Sequence, residues 1–584
     1  MPKVVFFDLF SAPLPYLALK DSLEKNGIEF EIISLAKEVN RGIPMSSSKY
    51  TAVSVRRSVY EIERKIERIR PQLSGTTMFG ITFYDYELAH RLLVPVSRLI
   101  KEKFPEIPLV GGGPAFNSNP RGYYVDGRLD YAFRGEAEKG LPALVRALAA
   151  GNREMLGSVP GLIWRRGNEL VVPSRPFILP LEEVKKSRFI YTRSKNGRVM
   201  TYMERGCPYA CLFCSVMRRG KPVPLEDDEI IAGLLHLARD HEIKGVQFTD
   251  DNLFYDKERA CRLFARIINQ GLHKRFKFTS MATVNSFLTE GKDGKMHVDV
   301  GFMEFIKKAN VTAIRLGTEM LDDNILRELK RAPYTAVQAI KVNDALRSAG
   351  IEVGNFMLAG GIETRAVDFL RSYYNATAKN VRHRGFYYPL TMIRGYRDSP
   401  LYRKAAREGA LLSEWGDAIS GPQAVGTEPH YIAPKQAELR TFFARHLAGG
   451  KDQFSTQDLE DVAAFAKTVA GHDPGIPPLE RKMRKLIGIR KARENDLRAR
   501  ELYLFGRLTH AILDSKGIEF NNANVNRLIS DPDFLMKTIP LLNEYAKKHQ
   551  QLSRNIEKLK GRARLQAIKK LRDTTSFGMH FQRL

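Results

Sequence analysis

The sequence predicts an α/β protein in three parts. They are an N-terminal doubly wound, Rossmann-like domain over 1–150, a central partial (β/α)6 TIM-like barrel over 196–405, and a C-terminal helical, basic region over 406–584. Two observations predict the first two parts: strand and helix patterns alternate over the first ~150 residues, and the alternation resumes after a break. A third predicts the last: beyond Pro434 the pattern is helical and increasingly rich in Lys and Arg.

Taken in order, VVFFDLF is an apolar first strand, and Pro15 to Lys25 reads as a helix stopped at Asn26–Gly27. FEIISL is the next strand. MFGITFY and IPLVGGGP are apolar runs stopped by glycine, with an amphipathic stretch from Tyr86 to Lys103 between them, and DYAFRGEAE closes the set. In such sheets ligands sit beyond the carboxyl ends of the strands. Residues 151–195 are rich in Pro and Gly and read as a linker with a small hairpin, its turn at Trp164–Arg165–Arg166–Gly167–Asn168. From Arg198 to about Leu401, six strand candidates follow: VMTYMERG, KGVQFTDD, FKFTSMAT, TAIRLGTE, VGNFMLAG and RGFYYPLT.

Composition narrows the function classes. With 43% hydrophobic and 27% charged residues over 584 positions, the chain can bury several cores. No segment is apolar for the ~18 residues that a membrane span needs. The start, MPKVVFFDLF, lacks a small-residue cleavage site and reads as a buried strand rather than a signal peptide. The expected location is the cytoplasm. A net charge of +27 implies an acidic partner: nucleic acid, anionic lipid or an anionic substrate.

Three of the four cysteines fall within the run Arg205-Gly206-Cys207-Pro208-Tyr209-Ala210-Cys211-Leu212-Phe213-Cys214, directly after a predicted strand. A disulfide framework would spread its cysteines, so this clustering points to a metal in a reducing compartment. Thiolates bind iron–sulfur clusters, and a cubane normally takes four ligands. Three cysteines on one loop leave the fourth iron open, which suits a cluster that binds a substrate. Structural zinc, with Cys261 or a distant His as fourth ligand, is the alternative, although zinc sites usually come as two separated pairs. Cys261 lies in KERACRLFARII among apolar neighbours and reads as an ordinary buried cysteine.

The CxxxCxxC loop after a barrel's first strand resembles the radical S-adenosylmethionine (SAM) superfamily. The likeness covers about 200 residues and implies that Cys207, Cys211 and Cys214 hold a 4Fe–4S cluster that cleaves SAM reductively. It also implies SAM contacts at four further places. Asp250, Asp251 and Asn252 would take the amino group at the end of the second strand, and the Phe213 backbone would contact adenine. Arg315 to Glu319, with Gly317 and Glu319, resembles a fifth-strand segment near ribose and adenine. Leu358 to Gly361, with Gly360, resembles a sixth-strand glycine segment. Read without the resemblance, Asp250 and Asp251 could instead cap a helix, and the glycines could be turns.

The N-terminal part resembles the cobalamin-binding domain that precedes the barrel in one large radical SAM subgroup. The matching pieces are Gly80-Ile81-Thr82, Leu109-Val110-Gly111-Gly112-Gly113-Pro114 and Asp130 to Glu136. Gly111, Gly112, Gly113, Gly135 and Glu136 would approach the corrin or its nucleotide tail, and Tyr84 and Tyr86 could line the site. The Asp-x-His-x-x-Gly loop of cobalamin mutases is absent, since the chain has Asp8-Leu9-Phe10-Ser11-Ala12-Pro13 there. Cobalamin would then bind without a protein histidine, and a Rossmann-like scaffold without cobalamin is the alternative.

With cobalamin, the resemblance implies methyl transfer to an unactivated carbon, one SAM serving as methyl source and another as radical source. Without it, the same layout suits a cyclase, a ring-contracting enzyme or a carbon–carbon coupling enzyme. A basic zinc protein acting on nucleic acid or a membrane surface is the reading from another class. Expected partners are a small-molecule, lipid or tetrapyrrole substrate and a reductant such as flavodoxin or ferredoxin. The tRNA methylthiotransferases of this superfamily carry extra N-terminal cysteines, so tRNA is not expected. From Lys547 to Arg583 cations are dense and acids scarce. A solvated helical cap is the plain reading, and docking at an anionic membrane surface on the cytoplasmic side is the functional one.

Overall fold

A computed structural model of the chain describes residues 1–9, 14–42, 52–83, 89–193, 197–330, 334–383, 389–396, 399–413, 417–419 and 430–492. The loop at 10–13, Tyr84 and Tyr86, and the basic tail lie outside the described residues. Met1–Ile487 form one compact unit. Both large sheets belong to this unit.

The first sheet is built from β1 (Lys3–Asp8), β2 (Glu29–Ser34), β3 (Met78–Thr82), β4 (Leu109–Gly112), β5 (Tyr131–Phe133), β6 (Leu162–Arg166) and β7 (Glu169–Val171). Its order is β2-β1-β3-β4-β5-β6-β7, parallel from β2 to β5 and antiparallel beyond. β1 is buried on both faces, as a central parallel strand must be. Its period-2 alternation sends Val5 and Phe7 into one core, with Phe79 and Ile81, and Val4 and Phe6 into the other, with Met78 and Val110. Tyr16 ties the sheet to the helix Leu14–Lys25: its hydroxyl donates to the Phe7 carbonyl (2.9 Å) and accepts from the Thr82 N–H (3.2 Å). The hairpin read as part of a linker pairs with β5 and so extends this sheet. Its turn is shorter than expected, because Trp164 to Arg166 are strand residues and only Gly167–Asn168 turn, with Gly167 at φ 60°.

The second sheet takes β8 (Tyr191–Arg193), β9 (Arg198–Thr201), β12 (Gly245–Phe248), β13 (Lys277–Thr283), β16 (Val311–Glu319), β17 (Glu352–Ala359), β18 (Leu390–Met392) and β22 (Gln453–Phe454). Two short antiparallel pairs lie outside it: β10 (Glu204–Arg205) with β11 (Val223–Pro224), and β14 (Leu288–Glu290) with β15 (Met296–Val298). The six strands β9, β12, β13, β16, β17 and β18 are parallel and adjacent in chain order, the half-open barrel that the alternation predicts. β8 and β22 cover its two edges antiparallel. Between strands run helices with good N-caps: Asp256 accepts the Arg259 N–H ahead of Lys257–Asn269, and Thr335 with Gln338 forms a capping box ahead of Ala336–Ser348.

Beyond residue 406 the chain is not helical throughout. β19 (Leu411–Ser413), β20 (Ala418–Ile419) and β21 (His430–Ile432) form a small antiparallel sheet, and helices Ala437–Ala448 and Leu459–Thr468 follow. Strands of two or three residues carry no readable period, which is why the sequence does not announce them. No helix among the described residues is long and apolar enough to cross a membrane.

Candidate functional site

The cysteine loop leaves the carboxyl end of β9 and is pinched at its base. Glu204–Arg205 pairs with Val223–Pro224, and the Cys207 N–H donates to the Arg218 carbonyl at 3.1 Å. Gly206 makes this closure possible: it sits at φ 106°, and a Cβ there would stand 2.7 Å from the Arg218 oxygen. Further along, the Leu212 N–H donates to the Leu329 carbonyl (2.9 Å), and the Leu212 carbonyl accepts from the Leu401 N–H (3.0 Å). The loop is thus stitched to two other parts of the barrel unit.

All three cysteines carry free thiols, with Cys211 buried and Cys207, Phe213 and Cys214 half-buried. Burial, with the charges of Asp251 and Cys211 added, pushes the Cys207 thiol up to about 11 and that of Cys214 up to about 12. Among the described residues no three His, Cys, Asp or Glu side chains stand close enough to share one metal ion. Cubane ligands each bind a separate iron, so the donor chemistry of the loop is the measure of fit, and three thiols on one short, stitched loop fit it. Cys261 is half-buried on the helix after β12.

At the end of β12 the three expected contacts have different roles. Asp250 is 2% exposed, and its carboxylate accepts from the Met203 (2.8 Å) and Glu204 (2.7 Å) N–H groups. It therefore shapes the base of the cysteine loop from within. Asn252 is wholly buried and accepts from the Thr283 N–H (3.1 Å) and the Ser286 hydroxyl (3.0 Å), fastening β12 to β13. Asp251 alone bears on the thiols. It reaches water, yet burial by its surroundings raises its carboxyl.

Counted along the sheet, Arg315 to Glu319 lies on the fourth parallel strand and Leu358–Ala359 on the fifth, each one place earlier than the resemblance assigns. At the end of β16 the register shifts between Gly317 and Glu319, and Glu319 takes φ 58°. This bulge turns Glu319 onto Lys330, a residue that no sequence pattern singles out. The Lys330 ammonium donates to Glu319 (2.9 Å) and to the Gly317 carbonyl (3.2 Å), while Tyr334 donates to the Thr318 carbonyl (3.0 Å). Burial opposes the Lys330 charge, but Glu319 and Tyr334 outweigh it and hold its pKa above the ordinary value. Its charge also bears on Cys207 and Cys211. The LKR run after a helix offers no periodic signal that its lysine is buried. At Gly360, φ 94° and a Cβ position 2.9 Å from the Phe443 ring account for glycine by packing.

In the first sheet the glycines separate into two kinds. A Cβ on Gly111 would stand 2.5 Å from Leu129, one on Gly113 2.7 Å from the Phe83 carbonyl, and one on Gly135 2.1 Å from the Phe177 carbonyl. Those three are required by neighbouring protein atoms. Gly112 has nothing within 4 Å of a Cβ, so protein packing does not account for it. It lines a cavity of about 290 Å³ at the carboxyl ends of β3 and β4, walled by Leu19, Thr82, Phe133 and Leu141 and, from the barrel, by Tyr202 and Arg205. The order 2-1-3-4-5 places the sheet's switch point between β1 and β3, where open α/β sheets bind ligands. The space is far smaller than a whole cobalamin but suits a nucleotide-sized tail, with Gly112 giving close backbone approach. Glu136 lines the cavity but is engaged by Arg205, Arg218 and the Leu179 N–H.

Residues 202–371 match the family model described as the radical SAM superfamily. The chain is 25% identical over 324 residues to the uncharacterized methyltransferase PH0819 of Pyrococcus horikoshii, covering 52% of this chain and 64% of that protein. It is 25% identical over 201 residues to an anaerobic magnesium-protoporphyrin IX monomethyl ester cyclase of Cereibacter sphaeroides, covering 33% and 31%. The chain thus spans less than two-thirds of the length of these relatives. In fold it is similar to the methyltransferase TsrM of Kitasatospora setae, solved with cobalamin and a 4Fe–4S cluster bound. The TM-score is 0.57 at 15% identity, over 84% of this chain and all of that one.

Proposed function

From the match of residues 202–371 to the radical SAM superfamily, we propose that the chain is a cobalamin-dependent radical SAM C-methyltransferase. The observation that carries the proposal is the shared wall. The cavity at the carboxyl ends of β3 and β4 is closed by Arg205, two residues ahead of Cys207. A corrinoid tail held against Gly112 would share a wall with the base of the cysteine loop. In the proposed domain arrangement, 1–150 with the hairpin extending its sheet is the corrinoid module, and 196–405 is the radical module.

When bound, the cluster supplies an electron for reductive cleavage of SAM, and cobalamin supplies a methyl carrier. The chain's own part is binding and placement. Cys207, Cys211 and Cys214 would hold three irons. Asp251 stands open beside the loop and suits the amino group of an amino-acid ligand, while buried Lys330, held by Glu319, sets a positive charge against the same loop. Asp250, through two backbone N–H groups, holds the strand end from which the loop departs. Glu319 holds the pKa of Lys330 above its ordinary value against the opposing effect of burial.

Anaerobic purification, reconstitution with iron and sulfide, and optical spectra with and without hydroxocobalamin test this. A corrin band retained beside the iron–sulfur absorbance supports it, as does formation of both S-adenosylhomocysteine and 5′-deoxyadenosine. Retained iron without corrin would overturn methyl transfer and favour the second reading, a cyclase or coupling enzyme, to which the similarity with the anaerobic cyclase lends support. The proposed substrates are small molecules, lipids or tetrapyrroles, with a flavodoxin- or ferredoxin-like reductant.

A further inference from the structure

The cysteine loop is flanked by two arginines, and both reach the same carboxylate of the other sheet. Arg205, just before Cys207, lies 3.2 Å from Glu136 Oε1, and Arg218, just after Cys214, lies 2.8 Å from Glu136 Oε2. Glu136 Oε2 also accepts the Leu179 N–H at 2.6 Å. The three charged side chains are nearly buried, between 13% and 16% exposed. Glu138 adds a second carboxylate, 2.6 Å from Arg205 only, and Tyr202 stacks beneath that guanidinium with its ring centre 5.1 Å away. Among the described residues Arg218 pairs with no second carboxylate; its other bond is to the Leu179 carbonyl (2.7 Å). Glu136 itself is held from behind: its N–H donates to the Phe177 carbonyl, and Gly135 before it passes that backbone too closely for any side chain.

From this arrangement we propose that Glu136 is a positioning residue that clamps both shoulders of the cysteine loop to the first sheet. The inference rests on the proposed function for its purpose, but the clamp itself is a property of the cluster-free chain. Its route to the cysteines is short. The Arg218 carbonyl accepts the Cys207 N–H, so whatever fixes Arg218 fixes the backbone of the first cysteine. Nearly buried charges lose far more when one partner is removed than exposed ones do. Neutralising Glu136 therefore releases Arg218, whereas neutralising Glu138 leaves Arg205 with Glu136 and Tyr202. Because Glu136, Glu138 and Arg205 also line the cavity beside Gly112, the clamp is the partition between the two proposed cofactor sites.

The test compares wild type, Glu136→Gln and Glu138→Gln by amide hydrogen exchange of the cluster-free chain, then by EPR of the reconstituted, reduced protein. In E136Q, exchange across 206–219 is expected to accelerate by about ten-fold, with E138Q changing less. The EPR signal of E136Q is expected to shift, and 5′-deoxyadenosine formed per cluster to fall by about ten-fold, the scale on which outer partners tune metal sites. Unchanged exchange in 206–219 overturns the proposal, and so does acceleration spread evenly over the molecule, which would mean general destabilisation. A wild-type chain that takes up no iron, yet shows loop-specific acceleration in E136Q, overturns the proposed function while supporting the clamp. If E136Q does not fold, Arg218→Gln, which removes the same contact from the other side, must reproduce the loop-specific exchange or the proposal fails.

Discussion

Lys330 and Glu319 form an ion pair of 2.9 Å in which the lysine side chain is only 3% exposed. Glu319 reaches it from a bulged strand end, and Lys330 lies just past the helix Asp323–Leu329 whose last carbonyl holds the cysteine loop. Removing one partner of such a pair leaves a buried charge uncompensated. Lys330→Met should cost about 3–5 kcal/mol in chemical denaturation of the cluster-free chain. The double variant K330M/E319Q should cost clearly less than the sum of the two single variants. Additive losses would show that the two groups do not depend on one another.

Gly111 and Gly112 are neighbours with opposite expectations. Gly111→Ala drives a methyl group against Leu129 and Phe116 and should destabilise by about 1–3 kcal/mol. Gly112→Ala meets no protein atom, so its melting temperature should match the wild type while retention of hydroxocobalamin on gel filtration weakens. Equal corrinoid retention in G112A and wild type would remove Gly112 from the binding surface.

Burial, reinforced by Asp250, pushes the Glu204 carboxyl up to about 9, with Arg259 at 3.1 Å pulling the other way. Asp251 and Asp256 push in the same sense as Asp250. The folded state therefore keeps a proton that the unfolded state loses near 4.5. Where the folded state binds more protons, stability falls as pH rises. The contribution is fully present below about pH 4.5 and is lost progressively toward about pH 9. Glu204→Gln should flatten the decline in melting temperature over that window, leaving the shallower slope of Asp250, itself raised to about 7. A decline as steep as that of the wild type would show that Glu204 is ionised in the fold.

Cys211→Ala should abolish iron and acid-labile sulfide uptake and the brown colour, while melting of the cluster-free chain changes little, since the variant removes one small buried sulfur group. Cys261→Ala, on the helix after β12, should keep full iron content. Iron loss in C261A would bring back the four-ligand zinc-like reading.

Much of the fold was legible because strands buried on both faces announce themselves. VVFFD and MFGIT are unbroken apolar runs, and each became a central parallel strand whose alternate residues serve two cores. The hairpin's attachment to β5 was not legible, because pairing between segments 30 residues apart leaves no local trace. The cysteine loop was legible from spacing alone, since three thiols within eight residues have few other uses. The neighbouring acids were not. Asp250, Asp251 and Asn252 are consecutive, yet the turn after β12 sends the first and third inward to backbone donors and leaves only the middle one toward the thiols.

By itself, the sequence determined the α/β class, the six parallel strands and the three thiols, because each is a matter of local period or short spacing. Only the tertiary structure decided which charges surround those thiols. Lys330 and Asp251, the charges that bear on the loop, come from separate parts of the chain. A buried ionisable group is recognisable only by the partners that folding brings to it, since burial without them would cost more than the fold can bear.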